Sequence, residues 1–110
     1  MVIQADDRRL FERFLARFPA KYQDCREDFG SNVFLRDISA EGAKIATKEP
    51  MLRDDKVDLL VELPDGHEPM ALSGHVAWVN ETNPHTWDVG LRFEEIDLFR
   101  THRIFKYCLS

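Results

Sequence analysis

An all-β domain with a helix at its C-terminal end is the fold that this sequence predicts. Three observations carry the prediction. Short runs of alternating apolar and polar residues recur through the middle of the chain. Turn-forming Gly, Pro and Asn residues separate them at regular spacing, as in a small barrel or sandwich. The final stretch then changes to helical period. At 110 residues the chain fits one domain, with a core large enough to need neither metal nor disulfide.

The elements follow in order. Residues 6–17 predict a short helix, with Arg9, Arg13 and Arg17 on one face at i, i+4 spacing and Leu10, Phe14 and Phe18 beside them. Pro19 closes it, because proline disfavours helix at the preceding residue. "AKYQDC" (20–25) alternates loosely and reads as a strand, and "REDFGS" with Gly30 as a turn. "NVFLRDIS" (32–39) is strand-like. So is "EGAKIAT" (41–47), with Ala43, Ile45 and Thr47 on one side and Lys44 and Ala46 on the other. After the loop "EPMLRDD", residues 56–81 read as two strands around "PDG", a good hairpin signal. Asn83 and Pro84 mark another turn, and "TWDVGLRFEE" (86–95) is a strand with Trp87, Val89, Leu91 and Phe93 at period two. The tail from Ile96 predicts an amphipathic helix. That makes roughly six short strands and a helix. Both tryptophans, Trp78 and Trp87, are expected in the core.

Composition excludes several functions. The net charge is −5, against the broad basic surface that DNA and RNA binders need. No apolar run is long enough to insert into a membrane, and the N-terminus lacks a secretory signal, so the cytoplasm is the expected location. In that reducing compartment Cys25 and Cys108 are expected as free thiols. The four histidines, His67, His75, His85 and His102, show no metal-ligand spacing, and there is no C-x-x-C. No nucleophile is paired with a base, and no glycine loop cradles phosphate, so no enzyme is expected and no cofactor.

Two features stand out from this background. Arg8, Arg9, Arg13, Arg17 and Lys21 crowd one short stretch of an acidic protein, opposed by Glu12 alone. A few well-placed arginines suit a small anionic ligand, because a guanidinium grips a phosphate or a guanine edge through paired hydrogen bonds. The second feature is the pattern D-x-S-x-x-G at Asp37, Ser39 and Gly42. Strand alternation puts Asp37 and Ser39 on one polar face, and Gly42 permits a backbone turn that a side chain would obstruct. A carboxylate can accept from the N–H edge of guanine, and a serine hydroxyl can donate or accept beside it. Alone, the same letters also suit a strand that ends in an Asx or Ser turn.

The two features together resemble the PilZ family. Its signature is R-x-x-x-R, here Arg9 and Arg13, followed some tens of residues later by [D/N]-x-S-x-x-G. Pro19 after the second arginine, "GHVAWV" (74–79) and "WDVGLRFEEI" (87–96) also match, so the resemblance covers nearly the whole chain. Arg13 and Arg17 form a second R-x-x-x-R, but the first register places Pro19 and the strand start where the family has them.

The resemblance implies a six-stranded antiparallel β-barrel with a C-terminal α-helix and a flexible N-terminal arm. It divides a single domain, 1–110, into an arginine-bearing switch segment (1–16), a barrel (17–95) and a helix (96–108). It also implies a receptor for the bacterial second messenger cyclic di-GMP. Arg9 and Arg13 would then contact phosphates and guanine, Asp37 and Ser39 would read the other guanine edge, and Gly42 would shape the turn. Arg8, next to the motif, would add a stacking or phosphate contact and suit a stacked pair of ligands. Such a receptor changes its N-terminal conformation and signals to a protein effector, in motility, biofilm or exopolysaccharide control, as a monomer or homodimer. The alternative on the same fold is a module that binds no nucleotide and works through protein contacts in pilus or motility assemblies.

Overall fold

In a computed structural model, residues 13–95 and 98–107 are described. Six strands are followed by one helix: β1 (Phe14–Tyr22), β2 (Val33–Ile38), β3 (Gly42–Thr47), β4 (Lys56–Val61), β5 (Met70–Asn83), β6 (Thr86–Phe93) and α1 (Leu98–Phe105). They close into a barrel in the order β1-β2-β3-β6-β5-β4, with every neighbouring pair antiparallel. The expected all-β barrel with a terminal helix is therefore present.

The core is the inward half of each alternation. β3 buries Ala43, Ile45 and Thr47 and leaves Lys44 and Ala46 half-buried, as its sequence predicts. β4 buries Val57, Leu59 and Val61, and β6 buries Val89 and Leu91. The two ends of the barrel are closed differently. At one end Tyr22 and Trp87 pack on the core. There the Tyr22 hydroxyl shares a 2.7 Å hydrogen bond with Thr47 Oγ1, and burial pushes the phenol pKa up. At the other end α1 lies across the opening and inserts Ile104, which is fully buried.

The reading of residues 6–17 as a helix is corrected where the chain is described. Residues 14–17 are the first part of β1, and residues 6–12 lie outside the described residues. Ala16, Phe18 and Ala20 point into the core while Leu15 and Arg17 are exposed, which is strand alternation. The barrel thus begins before residue 17, and the strand expected at 20–25 is the end of β1, which stops at Tyr22. Pro19 lies inside the strand. Its carbonyl accepts from Glu62 N at the end of the short β1–β4 ladder, where a missing N–H is tolerated. The Asn83–Pro84 turn is found between β5 and β6, with His85 at φ 71°.

The "PDG" segment joins β4 to β5 and also holds the helix. Arg103 on α1 donates from Nε and Nη2 to Asp65 at 3.0 and 3.2 Å, and from Nη2 to the Glu68 carbonyl at 2.7 Å. Paired bonds between a guanidinium and a carboxylate hold the Asp65 carboxyl below the usual carboxylate range.

Candidate ligand-binding site

Two irregularities in pairing build the site. Between Leu15 and Phe18, β1 carries one residue more than the facing stretch of β2. Between Leu35 and Asp37, β2 carries one residue more than β3. A bulge of this kind re-aims the side chains that follow it. Leu35 points inward, and unbroken alternation would turn Asp37 inward too. The bulge instead sets Asp37 opposite outward-facing Lys44, half-buried on the outside of the barrel.

Asp37 there meets the arginine segment. Arg13 Nη1 donates to Asp37 Oδ1 at 3.2 Å, and Lys44 Nζ stands 3.8 Å from Oδ2. The two halves of the sequence pattern, 24 residues apart, are in direct contact. Arg13 Nε is shielded from solvent and has no hydrogen-bond partner among the described residues. Such a group costs about 1–3 kcal/mol to leave unsatisfied, so the guanidinium has something to gain from another arrangement.

The row extends sideways. Leu15, Asp37, Lys44, Gly90 and Trp78 are successive partners across β1, β2, β3, β6 and β5. A side chain at Gly90 would collide with the Trp78 indole, so the ring lies down on the outer face over that glycine. The expectation that Trp78 is a core residue is corrected: it is 40% exposed, whereas Trp87 does pack on the core. Cations around one carboxylate, with an exposed indole in the same row, can hold a phosphate and give a base a flat surface.

Ser39 and Gly42 lie next to this row but are occupied with the fold. The shared polar face expected for Asp37 and Ser39 is not present, because β2 ends at Ile38 and the following turn carries Ser39 inward. Ser39 is fully buried in the β2–β3 turn. Its hydroxyl accepts from Glu41 N at 3.3 Å and donates to the Gly42 carbonyl at 3.4 Å. Gly42 also has a different role from the one its sequence suggests. Its backbone has no positive φ; instead, a Cβ there would collide with the Leu91 carbonyl of β6. It is required for the close approach of β3 and β6 and not for a turn. Arg8 and Arg9 lie outside the described residues.

Sequence reasoning missed Lys44 and Trp78. The outward position of Lys44 in β3 was legible, but its partner was not, because the bulge in β2 decides which residue stands opposite. Among the described residues no group of three His, Cys, Asp or Glu could hold a metal. No helix among them is long and apolar enough to cross a membrane.

Comparison with known proteins agrees with the architecture. The PilZ domain family model matches residues 7–110, nearly the whole chain. The sequence matches no curated protein. Among solved structures, the fold is similar to that of the Bacillus subtilis Inhibitor of motility (MotI/DgrA), with TM-score 0.63 and 17% sequence identity. That likeness covers 97% of this chain and 54% of the other, so this chain spans about half the length of that protein.

Proposed function

We propose that this chain, which belongs to the PilZ domain family, is a receptor for cyclic di-GMP. The contact between Arg13 and Asp37 carries the reading. It joins the arginine segment to the D-x-S-x-x-G strand on the outside of the barrel, where a ligand has access. PilZ domains are a family of cyclic di-GMP receptors and work as binding modules. In this reading Arg13 exchanges Asp37 for a phosphate or a guanine edge, with Arg9 and Arg8 beside it. Asp37 is freed to accept from guanine N–H groups, and Lys44 adds a second cation. Ser39 and Gly42 act by fixing the turn and the strand spacing that set Asp37 in place.

Binding then becomes a signal through the start of β1. Phe14 follows Arg13 directly, and its ring meets Phe105 of α1 edge-on, with centroids 4.6 Å apart. A new position for Arg13 and the segment before it alters that contact and changes the surface offered to a protein effector.

Calorimetric titration of cyclic di-GMP into the protein and into Arg13→Ala tests the reading. Loss of a paired, charge-assisted contact costs about 2 kcal/mol or more, at least tenfold in affinity. Saturable binding that weakens by this much is the expected result. No binding by the wild-type chain, confirmed by a second method, would overturn it in favour of a module that acts through protein contacts alone.

A further inference from the structure

The Arg36 bulge that aims Asp37 at the arginine segment also borders a separate groove. Its volume is about 400 Å³, within the roughly 300–1,000 Å³ of small-molecule sites. The groove runs from the outer face of β2 and β3 to the tip of the β5–β6 hairpin, and Phe34, Arg36, Ala46, Lys48, Trp87 and Asp88 line it. Ala46 makes it possible. It stands in a row between Phe34 on β2 and Asp88 on β6, and its small side chain leaves the space open.

The lining has a definite chemistry. Phe34 is 45% exposed, and the edge of its ring lies over Gly30, where a Cβ would collide with it. Trp87 adds a second aromatic surface at the barrel rim. Arg36 and Lys48 bring two positive charges against the single carboxylate of Asp88. Neither cation is held in an ion pair with another described residue. The groove is therefore locally cationic on a chain whose net charge is −5. Aromatic surface and unpaired cations around one carboxylate fit a planar base that carries a phosphate. The rings take the base, Arg36 and Lys48 take the phosphate, and Asp88 accepts from the N–H edge that guanine offers.

We propose that this groove is a second nucleotide subsite, specific for a purine base bearing a phosphate. It is separate from the Arg13–Asp37 contact, with Arg36 at the junction of the two. The occupant is either a free mononucleotide or one half of a second cyclic dinucleotide. The latter source rests on the receptor reading above, and the former does not.

The test follows backbone amide shifts while GMP, guanosine and inorganic phosphate are added separately. It uses the wild type, the double variant Arg36→Glu/Lys48→Glu and Arg13→Ala. The two glutamates are surface changes, and thermal melting checks that the fold is kept; Lys48→Gln alone serves if the double variant melts early. The expected result is saturable GMP shifts at residues 30–36, 46–48 and 82–88. Guanosine or phosphate alone should bind more weakly, the double variant should lose at least tenfold in affinity, and Arg13→Ala should leave the GMP shifts unchanged. Titration with cyclic di-GMP separates the sources. One molecule fewer per double-variant chain than per wild-type chain identifies a second dinucleotide, whereas equal stoichiometry with GMP shifts present identifies a mononucleotide. GMP shifts in a protein that ignores cyclic di-GMP would sink the receptor reading and leave the groove standing. Absence of saturable GMP shifts at these residues, or shifts that the double variant retains in full, would overturn the subsite.

Discussion

Two arginine–aspartate pairs tie distant parts of this chain together, and they are built differently. Arg103 makes three hydrogen bonds, two to Asp65 and one to the Glu68 carbonyl, and the Asp65 side chain is only 5% exposed. Among the described residues Arg13 makes one bond, to Asp37, and its Nε has no partner. The Asp37 carboxylate is shared with Lys44 and is more exposed. The first pair uses the guanidinium fork fully and fixes α1 to the β4–β5 loop. The second leaves donors unused and its carboxylate shared, so exchanging partners costs it less. The same two residue types thus make a clasp in one place and a replaceable contact in the other, and the bonds left unmade tell them apart.

The comparison can be broken experimentally. The largest effect is expected on ligand: Arg13→Ala should lower cyclic di-GMP affinity at least tenfold in calorimetry while changing folding stability by about 1 kcal/mol or less, as a single partly exposed pair would. A variant that loses stability instead would make Arg13 a clasp as well. Next comes Arg103→Ala. It strips Asp65 of its charged partner, so the melting temperature should fall by several degrees with ligand affinity little changed. A melt that matches the wild type would remove the distinction.

Acid sharpens the comparison further. The Asp65 carboxyl titrates below its usual range in the folded chain. Its contribution to stability is fully present above the unfolded carboxylate pKa, near pH 4, and is lost as pH falls through the lower folded value. Urea midpoints measured from pH 5 down to pH 2 should therefore fall, and they should fall less steeply in Arg103→Ala. Equal slopes would show that the clasp does not depend on the charge of Asp65. The smallest effect is expected from Lys44→Met. With Nζ at 3.8 Å and both side chains partly exposed, the change in stability should stay under about 1 kcal/mol. A larger loss in a chemical melt would make Lys44 a structural partner of Asp37.

Much of this was legible in the sequence, and the exceptions have physical causes. β3 reads directly, since Ala43, Ile45 and Thr47 alternate with Lys44 and Ala46 and nothing interrupts them. β1 was misread because positions four apart share a face in a helix and in a strand alike. Phe14 and Phe18 satisfy both periods, and only Ala16 and Ala20, small and ambiguous residues, decide for the strand. Asp37 and Ser39 are two apart and predict one face, but β2 ends at Ile38 and the turn buries Ser39; the bulge that turns Asp37 outward depends on the partner strand and leaves no mark in a single sequence. Trp78 was assigned to the core by its size. Gly90, which stands opposite it and gives the ring room to lie flat outside, is twelve residues away in sequence and comes to face it only through the register of the β5–β6 hairpin. The site residues themselves came from a motif, whereas their geometry came from the register.

The edge-on contact of Phe14 with Phe105 has a topological consequence. It sets the point where the chain enters β1 beside the point where α1 ends, while the Asn83–Thr86 turn lies at the opposite end of the barrel. A linker that joins the end of α1 to the start of β1, with a new break in that turn, would give a circular permutant that runs from β6 through α1 to β1 and finishes with β5. Every ladder of the ring would survive, because none of them depends on where the polypeptide starts.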